Sequence, residues 1–309
     1  MLQIAQLYGR DQKTIAKHIN NALREKLEEE SVVAKFATPK KYGRKEGYTQ
    51  MQKIDYYNLV INKSDLTAMI TDDLLLVLKN FQGVREEQGE NEKLRNLAIQ
   101  FMNVAENILL GACFEVNGVR RIYPLEIEFY YHEEGDDGLK DPVMYHTNDH
   151  ENKQLDYYPL GSLNCHVSGI DITFENEEKH YRASMLVRKY KVCDYDGGEW
   201  VAKEKKECEV RSTYIYEDMF MNIPLSDGIT INWRSFKSAD SLESICVKPR
   251  INVAEYKKDK NGKYQKVEIS KDEYNKFSDD KKKEYFMYSG KILKKCNRMW
   301  NYSVVGDRL

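Results

Sequence analysis

Between residues 112 and 131 the chain reads ACFEVNGVRRIYPLEIEFYY, and no other stretch limits the possible folds as much. Apolar and polar residues alternate on both sides of Asn117–Gly118, a dipeptide suited to the positive φ values of a tight hairpin turn. A period of two over this length predicts an antiparallel hairpin. On the return strand Glu126 and Glu128 alternate with Leu125, Ile127 and Phe129, so both carboxylates share a face, and Tyr130 and Tyr131 follow. Two acids on one face of an otherwise apolar strand either sit in water at a sheet edge or serve chemistry.

Helical periodicity precedes the hairpin. Leu74, Leu75, Leu78 and Phe81 are spaced for one buried helical face ended by Gly83, with Ser64 and Thr71 as caps. Residues 84–93, VREEQGENEK, read as a loop. Leu94, Leu97, Ala98, Phe101, Ala105 and Ile108 then run at helical spacing into LLGA. Both stripes read as core. A length of 309 residues, 41% of them apolar, predicts about two domains and a sizeable core. No apolar run reaches the roughly 20 residues of a membrane span. The first residues, MLQIAQLYGRDQK, lack the pattern of a signal peptide, so the expected setting is the cytoplasm, with no membrane partner.

The six cysteines include no pair at the two-residue spacing of a zinc knuckle or redox motif, and read as reduced thiols. His146 and His150, with Asp149 beside them, lie in HTNDHENKQ, which reads as loop. No metal and no cofactor is expected.

Charge is distributed unevenly. The net charge is −2, yet residues 1–60 carry +4, residues 248–298 carry +8 and residues 61–247 carry −14. Basic flanks around an acidic middle fit either contact with a polyanion through the ends or lysine runs that are simply solvated faces. Near the start, Ile4 and Leu7 mark a short helix, Gly9–Asp11 a turn, and Asp11 the N-cap of a second helix whose inner stripe is Ile15, Ile19 and Leu23. Its outer face presents Gln12, Lys13, Thr14, Lys17, His18 and Asn21, donors and cations suited to base edges and phosphates in a major groove. A basic, glycine-containing turn between apolar stretches at 31–61 predicts a small β-wing. Together GRDQKTIAKHINN, SVVAKFAT and KIDYYNL resemble the N-terminal domain of RhuM-type virulence proteins, which implies DNA binding over about the first 60 residues.

A second resemblance covers roughly residues 105–309. LLGACFEVNGVRRIYPLEIEFYY, LGSLNCHVSGIDITF, ASMLVRKYK, KPRINV and MWNYSVVGD occur in this order. They resemble the successive motifs of the alkyladenine (3-methyladenine) DNA glycosylases. The resemblance implies that Glu128 activates the attacking water, that Arg250 stands near that water, and that Tyr130 stacks on the flipped base. It places His166 at the opposite stacking aromatic and His146 at the histidine after the catalytic hairpin. Ser168 stands where the family inserts a tyrosine wedge, and Glu175 falls near its base-reading asparagine. The chemistry agrees with these residue types. Cleaving an N-glycosidic bond develops oxocarbenium character that a carboxylate stabilises, and aromatic faces offset part of the cost of extruding a base.

Residues 254–298 interrupt the motifs with lysines and aromatics, which suit either a nucleic-acid backbone surface or a plain solvated hairpin and helix. A Lys-Asn-Gly turn predicts a hairpin, and Ser270 caps a helix carrying Tyr274, Phe277, Lys281 and Tyr285 along one side. The expected architecture is α+β: a helix-turn-helix or winged unit over 1–62, a helical linker over 63–104, and a mixed α/β domain with a curved antiparallel sheet over 105–309. Glu128, Tyr130, His166 and Arg250 are expected to converge on one cleft. The expected partner is double-stranded DNA. The activity that the resemblance implies is removal of a damaged or modified base, as in base excision repair. The competing expectation is a non-catalytic DNA-binding regulator or virulence factor that retains the scaffold.

Overall fold

The computed structural model describes residues 72–87, 89–144, 146–151, 153–166, 169–202, 215, 218–219, 231–235 and 244–305. The expected helix-turn-helix, with Gln12, Lys13, Thr14, Lys17, His18 and Asn21, lies outside the described residues, as does Ser168.

The described chain is α+β and mostly antiparallel sheet. Helices α1 (Asp72–Lys79) and α2 (Glu90–Gly111) lead into β1 (Ala112–Val116) and β2 (Arg120–Glu133). Next come β3 (Leu163–His166), β4 (Gly169–Thr173), β5 (Tyr181–Asp196), β6 (Glu199–Ala202), β7 (Ile231–Ser235) and β8 (Ser244–Lys248). The remaining strands are β9 (Tyr256–Lys258), β10 (Tyr264–Lys266), β11 (Glu268–Ile269), β12 (Tyr285–Tyr288), β13 (Lys291–Lys294) and β14 (Asn301–Val305). Among the described residues the main sheet runs β3-β4-β5-β2-β1-β7, with β6 on β5 and with β14 bridging β2 and β8.

The Asn117–Gly118 turn forms as expected: both residues have positive φ, 49° and 69°, and Val119 N–H donates to the Val116 carbonyl. The long strand β2 changes partner along one edge. Its start pairs with β1 (Phe114 opposite Ile122) and its middle with β14 (Asn301 opposite Glu128), while β5 lines the other edge. The register with β5 shifts between Pro124 and Ile127, where proline has no N–H to give the ladder. Because β2 lies inside the sheet, its glutamates are not at an edge.

Helix α2 covers one face of the sheet. Leu97, Phe101, Val104, Ala105, Ile108 and Leu109 are buried there with Ile127, Phe129, Tyr131 and Tyr302. Phe101 stacks on Phe129 with centroids 4.2 Å apart, and Phe81 reaches both Phe101 (5.7 Å) and Phe174 (4.9 Å). Helix α1 ends at Lys79, four residues before the expected Gly83, which at φ 68° lies in the following loop where an added Cβ would lie 2.7 Å from the Tyr181 ring.

Three sequence expectations are corrected. Helix α2 begins at Glu90, so the last part of the expected loop is its first turn, with Glu90 and Glu92 at the positive end of the helix dipole. The expected boundary between residues 104 and 105 falls inside this continuous helix, and Leu78 and Phe81 join the same core as the sheet. Residues 72–104 are therefore not a linker. In the insertion, Ser270 does cap a helical turn (Lys271–Asn275), but Ser278 caps a second one (Asp279–Lys282), and Tyr285 lies in β12. The Ser278 hydroxyl accepts from Lys281 N–H, a local bond that competes with one continuous helix. The insertion leaves and rejoins at adjacent points: Ala254 bridges Lys295, and Cys296 N–H donates to the Val253 carbonyl. It holds the hairpin β9–β10 and the sheet β11-β13-β12.

Candidate active site

Alternation along β2 sets Glu126, Glu128, Tyr130 and His132 on the face away from α2, with Glu134 just past its end. Both glutamates belong to one side, as expected: the Asn301 amide donates to Glu126 Oε1 (2.9 Å) and to Glu128 Oε2 (3.3 Å). Both are wholly buried.

Glu128 is held by four donors. Its Oε1 accepts from the Tyr130 hydroxyl and from Arg188 Nη2, each at 2.5 Å. Its Oε2 accepts from Ile251 N–H at 2.8 Å and from Asn301. Burial, reinforced by the Glu128 charge, pushes the Tyr130 phenol well above its ordinary value, so it remains a neutral donor. Burial works against the Arg188 charge, but Glu128 outweighs it and the guanidinium is held more firmly protonated than usual. Arg188 Nε and Asn301 Oδ1 are buried and make no hydrogen bond among the described residues.

Arg250 comes close but in another role. Its guanidinium makes a two-pronged pair with Asp141 (2.5 and 3.0 Å) and lies 5.1 Å from the Tyr130 ring centroid and 4.9 Å from that of Trp300. Asp141 is held below the ordinary carboxylate value: burial opposes its charge, and Arg250 outweighs burial. The backbone of the next residue, Ile251, is what touches Glu128. Arg250 thus clamps the loop after β2 against the tyrosine.

His146 belongs to a neighbouring cluster. Its ring stacks on Tyr158 with centroids 4.0 Å apart, and its Nδ1 lies 3.2 Å from Glu175 Oε1 and 3.3 Å from Arg182 Nη1. Arg182, fully buried, also binds Glu134, Glu175 Oε2 (3.0 Å), the Asp156 and Leu155 carbonyls and Asn148 Oδ1. Glu175, expected near a base-reading position, is spent on Arg182, His146 and Tyr158 N–H (2.8 Å). His132 lies between the clusters and accepts from Asp141 N–H through Nδ1 (3.2 Å). Burial first, and Lys140 next, hold it below the ordinary histidine value.

The backbone of His166 lies on β3. The ladder runs from Glu128 to Leu186, from Leu186 to Asp171, and from Asp171 to Asn164, two residues before His166. Three strand spacings make roughly 14 Å from Glu128 to Asn164. Glu128, Tyr130 and Arg250 are brought together; the backbone at 166 is three strands away, and His146 sits in the Arg182 cluster.

Arg188, Asn301 and Asp141 were not singled out from the sequence. One signal was available for Arg188, because alternation along YRASMLVRKYK sets Arg182, Ser184 and Arg188 on one face. Nothing local marks Asn301 or Asp141. Among the described residues, no group of three or more His, Cys, Asp or Glu side chains is arranged to hold a metal ion, and no helix is long and apolar enough to cross a membrane. Compared with family models, curated proteins and solved structures, the chain matches none.

Proposed function

We propose that the chain is a DNA-binding protein whose sheet domain, alkyladenine-glycosylase-like in its motif order, hydrolyses the N-glycosidic bond of a damaged or modified base flipped from duplex DNA. The observation that carries this reading is the setting of Glu128: a buried carboxylate in fixed orientation, next to a cation, a neutral phenol and two buried polar atoms with bonding capacity left. Such a group is preorganised for charge that develops in a transition state. In the reaction, water oxygen bonds to the sugar carbon as the carbon–nitrogen bond breaks. The water proton passes to Glu128, and the base leaves with the electron pair. Arg188 holds the carboxylate in place, and Tyr130 supplies the aromatic surface beside it. Residues 1–62, helix-turn-helix in pattern, contribute Gln12, Lys13, Thr14, Lys17, His18 and Asn21 to a DNA groove.

One observation favours a second reading. All four donors around Glu128 are protein groups, so the carboxylate releases one of them before it takes a proton from water. A carboxylate that never does so is a structural strut, and the protein is then a DNA-binding regulator on the same scaffold.

The experiment is Glu128→Gln, scored as abasic sites on alkylated and phage-modified duplexes, read as alkali-labile breaks. General-base and charge contributions together account for at least ~100-fold in rate, so turnover is lost while DNA affinity stays near normal. Breaks formed equally by both proteins remove Glu128 from the reaction. No breaks from the wild type on any substrate leave the strut reading.

A further inference from the structure

Residues 255–295 contain thirteen lysines against eight acids. The acids are largely engaged away from the hairpin. Glu255 pairs with Lys294 (2.7 Å), Glu268 with Lys291 (2.7 Å), and Asp279, Asp280 and Glu284 pair within their own helical turn. Asp259 closes the hairpin turn, accepting from Asn261 and Lys263 N–H through Oδ1. Lys258, Lys260, Lys263 and Lys266 have no acidic partner within ion-pair distance among the described residues, and all four are exposed.

The register orders these charges. Tyr264 stands opposite Lys258 and Lys266 opposite Tyr256, so Tyr256, Lys258, Tyr264 and Lys266 form one face in a checkerboard. Lys258 Nζ lies 5.3 Å from the Tyr264 centroid, and Lys266 Nζ lies 6.0 Å from that of Tyr256 and 5.9 Å from that of Tyr288 on β12. Each ammonium is steered by a ring without being neutralised, which lowers the ordering cost of meeting an anion. Diagonal positions of an antiparallel pair lie roughly 7–8 Å apart. On each DNA strand phosphates recur every ~3.4 Å of helix axis, and because the strand also winds around that axis neighbouring phosphates stand farther apart than this rise, a separation the two lysine side chains can bridge. The face adjoins the candidate site: burial and then Asp141, the partner of Arg250, push Tyr256 up. Burial opposes the Asp149 charge and is outweighed by Lys140 first, then His132 and lastly Lys258, which hold Asp149 low.

We propose that the hairpin β9–β10 is a backbone contact for double-stranded DNA, with Lys258 and Lys266 on successive phosphates and Tyr256 and Tyr264 against the sugars. The inference rests on the DNA-binding part of the reading above and not on catalysis. It is tested on the full chain with a fluorescent duplex, by anisotropy across a salt series. Lys258→Gln with Lys266→Gln is compared with Lys271→Gln with Lys276→Gln, which removes the same charge from another exposed part of the insertion. Each phosphate contact adds about 0.9 to the slope of log affinity against log salt. The hairpin variant should therefore lose about 1.8 from that slope, and the control pair little, with unchanged melting for both. Equal loss in both variants reduces the effect to net charge and overturns the proposal. A wild-type slope retained by the hairpin variant overturns it and leaves DNA binding through other residues. No duplex binding by the wild type overturns both. Hairpin-dependent binding without abasic sites leaves the proposal standing and removes the catalytic reading.

Discussion

The two faces of strand β2 are buried to the same degree by opposite means. Toward α2, Ile127, Phe129 and Tyr131 meet Phe101 and its neighbours, and burial is favourable in itself, at roughly 25 cal/mol per Å² of apolar surface. Away from α2, Glu126, Glu128, His132 and Glu134 are equally dry, and each carries a desolvation cost that only its partners offset. The first face needs volume and shape, except at its end, where the buried Glu133 accepts from Lys93 of α2, the Tyr131 hydroxyl and Leu139 N–H; the second needs every donor in place. Acids stay buried there because each meets a fixed partner: Arg188, Arg182, Lys248 or a backbone N–H.

The largest effect should come from breaking the polar face at its hub. Arg182→Met leaves Glu134 and Glu175 buried without their cation, and a loss of about 3–5 kcal/mol is expected in urea unfolding. Adding Glu134→Leu and Glu175→Leu removes the stranded charges too, and should recover a large part of that loss. If the triple variant is less stable than the single one, charge pairing is not what holds this face. On the apolar face, Phe101→Leu keeps much of the volume, and a loss under about 1.5 kcal/mol is expected in the same titration.

Acid should distinguish the faces as well. The His132 value is lowered from its ordinary 6.5 in the folded protein, so the unfolded chain binds that proton more readily. Its contribution is complete above about pH 6.5 and falls away as pH drops toward the folded value, with a slope of at most about 1.4 kcal/mol per pH unit. Asp141, also lowered, extends the loss below its ordinary 3.8. Unfolding midpoints between about pH 7 and pH 5 should fall for the wild type and stay flatter for His132→Gln, whose amide oxygen can still accept from Asp141 N–H. The smallest effect belongs to the exposed insertion. Ser270→Ala removes a cap bond to Glu273 N–H, worth about 1 kcal/mol. Faster amide exchange at Glu273 and Tyr274, with no change in global unfolding, is the expected result.

Much of the main sheet was legible because its signals are local. The Asn117–Gly118 turn, the shared face of Glu126 and Glu128, and the apolar stripe of α2 each depend on residues within one or two turns of one another. The helix predicted past Ser270 failed for an equally local reason, a second serine cap at Ser278. Arg250 illustrates the other kind of miss. Its approach to Tyr130 follows the expected convergence, but its charge is answered by Asp141, 109 residues away.

The sequence by itself determined the strands, the turns and which side chains share a face, since these follow from a period of two and from backbone preference. Only the tertiary structure decided what those faces meet. Asn301 reaches Glu128 across 173 residues, and Arg188 across 60, because β14 and β5 take the two edges of β2 in one register. A slip of one residue would turn every side chain of either strand to the other face. That register is chosen by the burial of the whole sheet and by no residue acting alone.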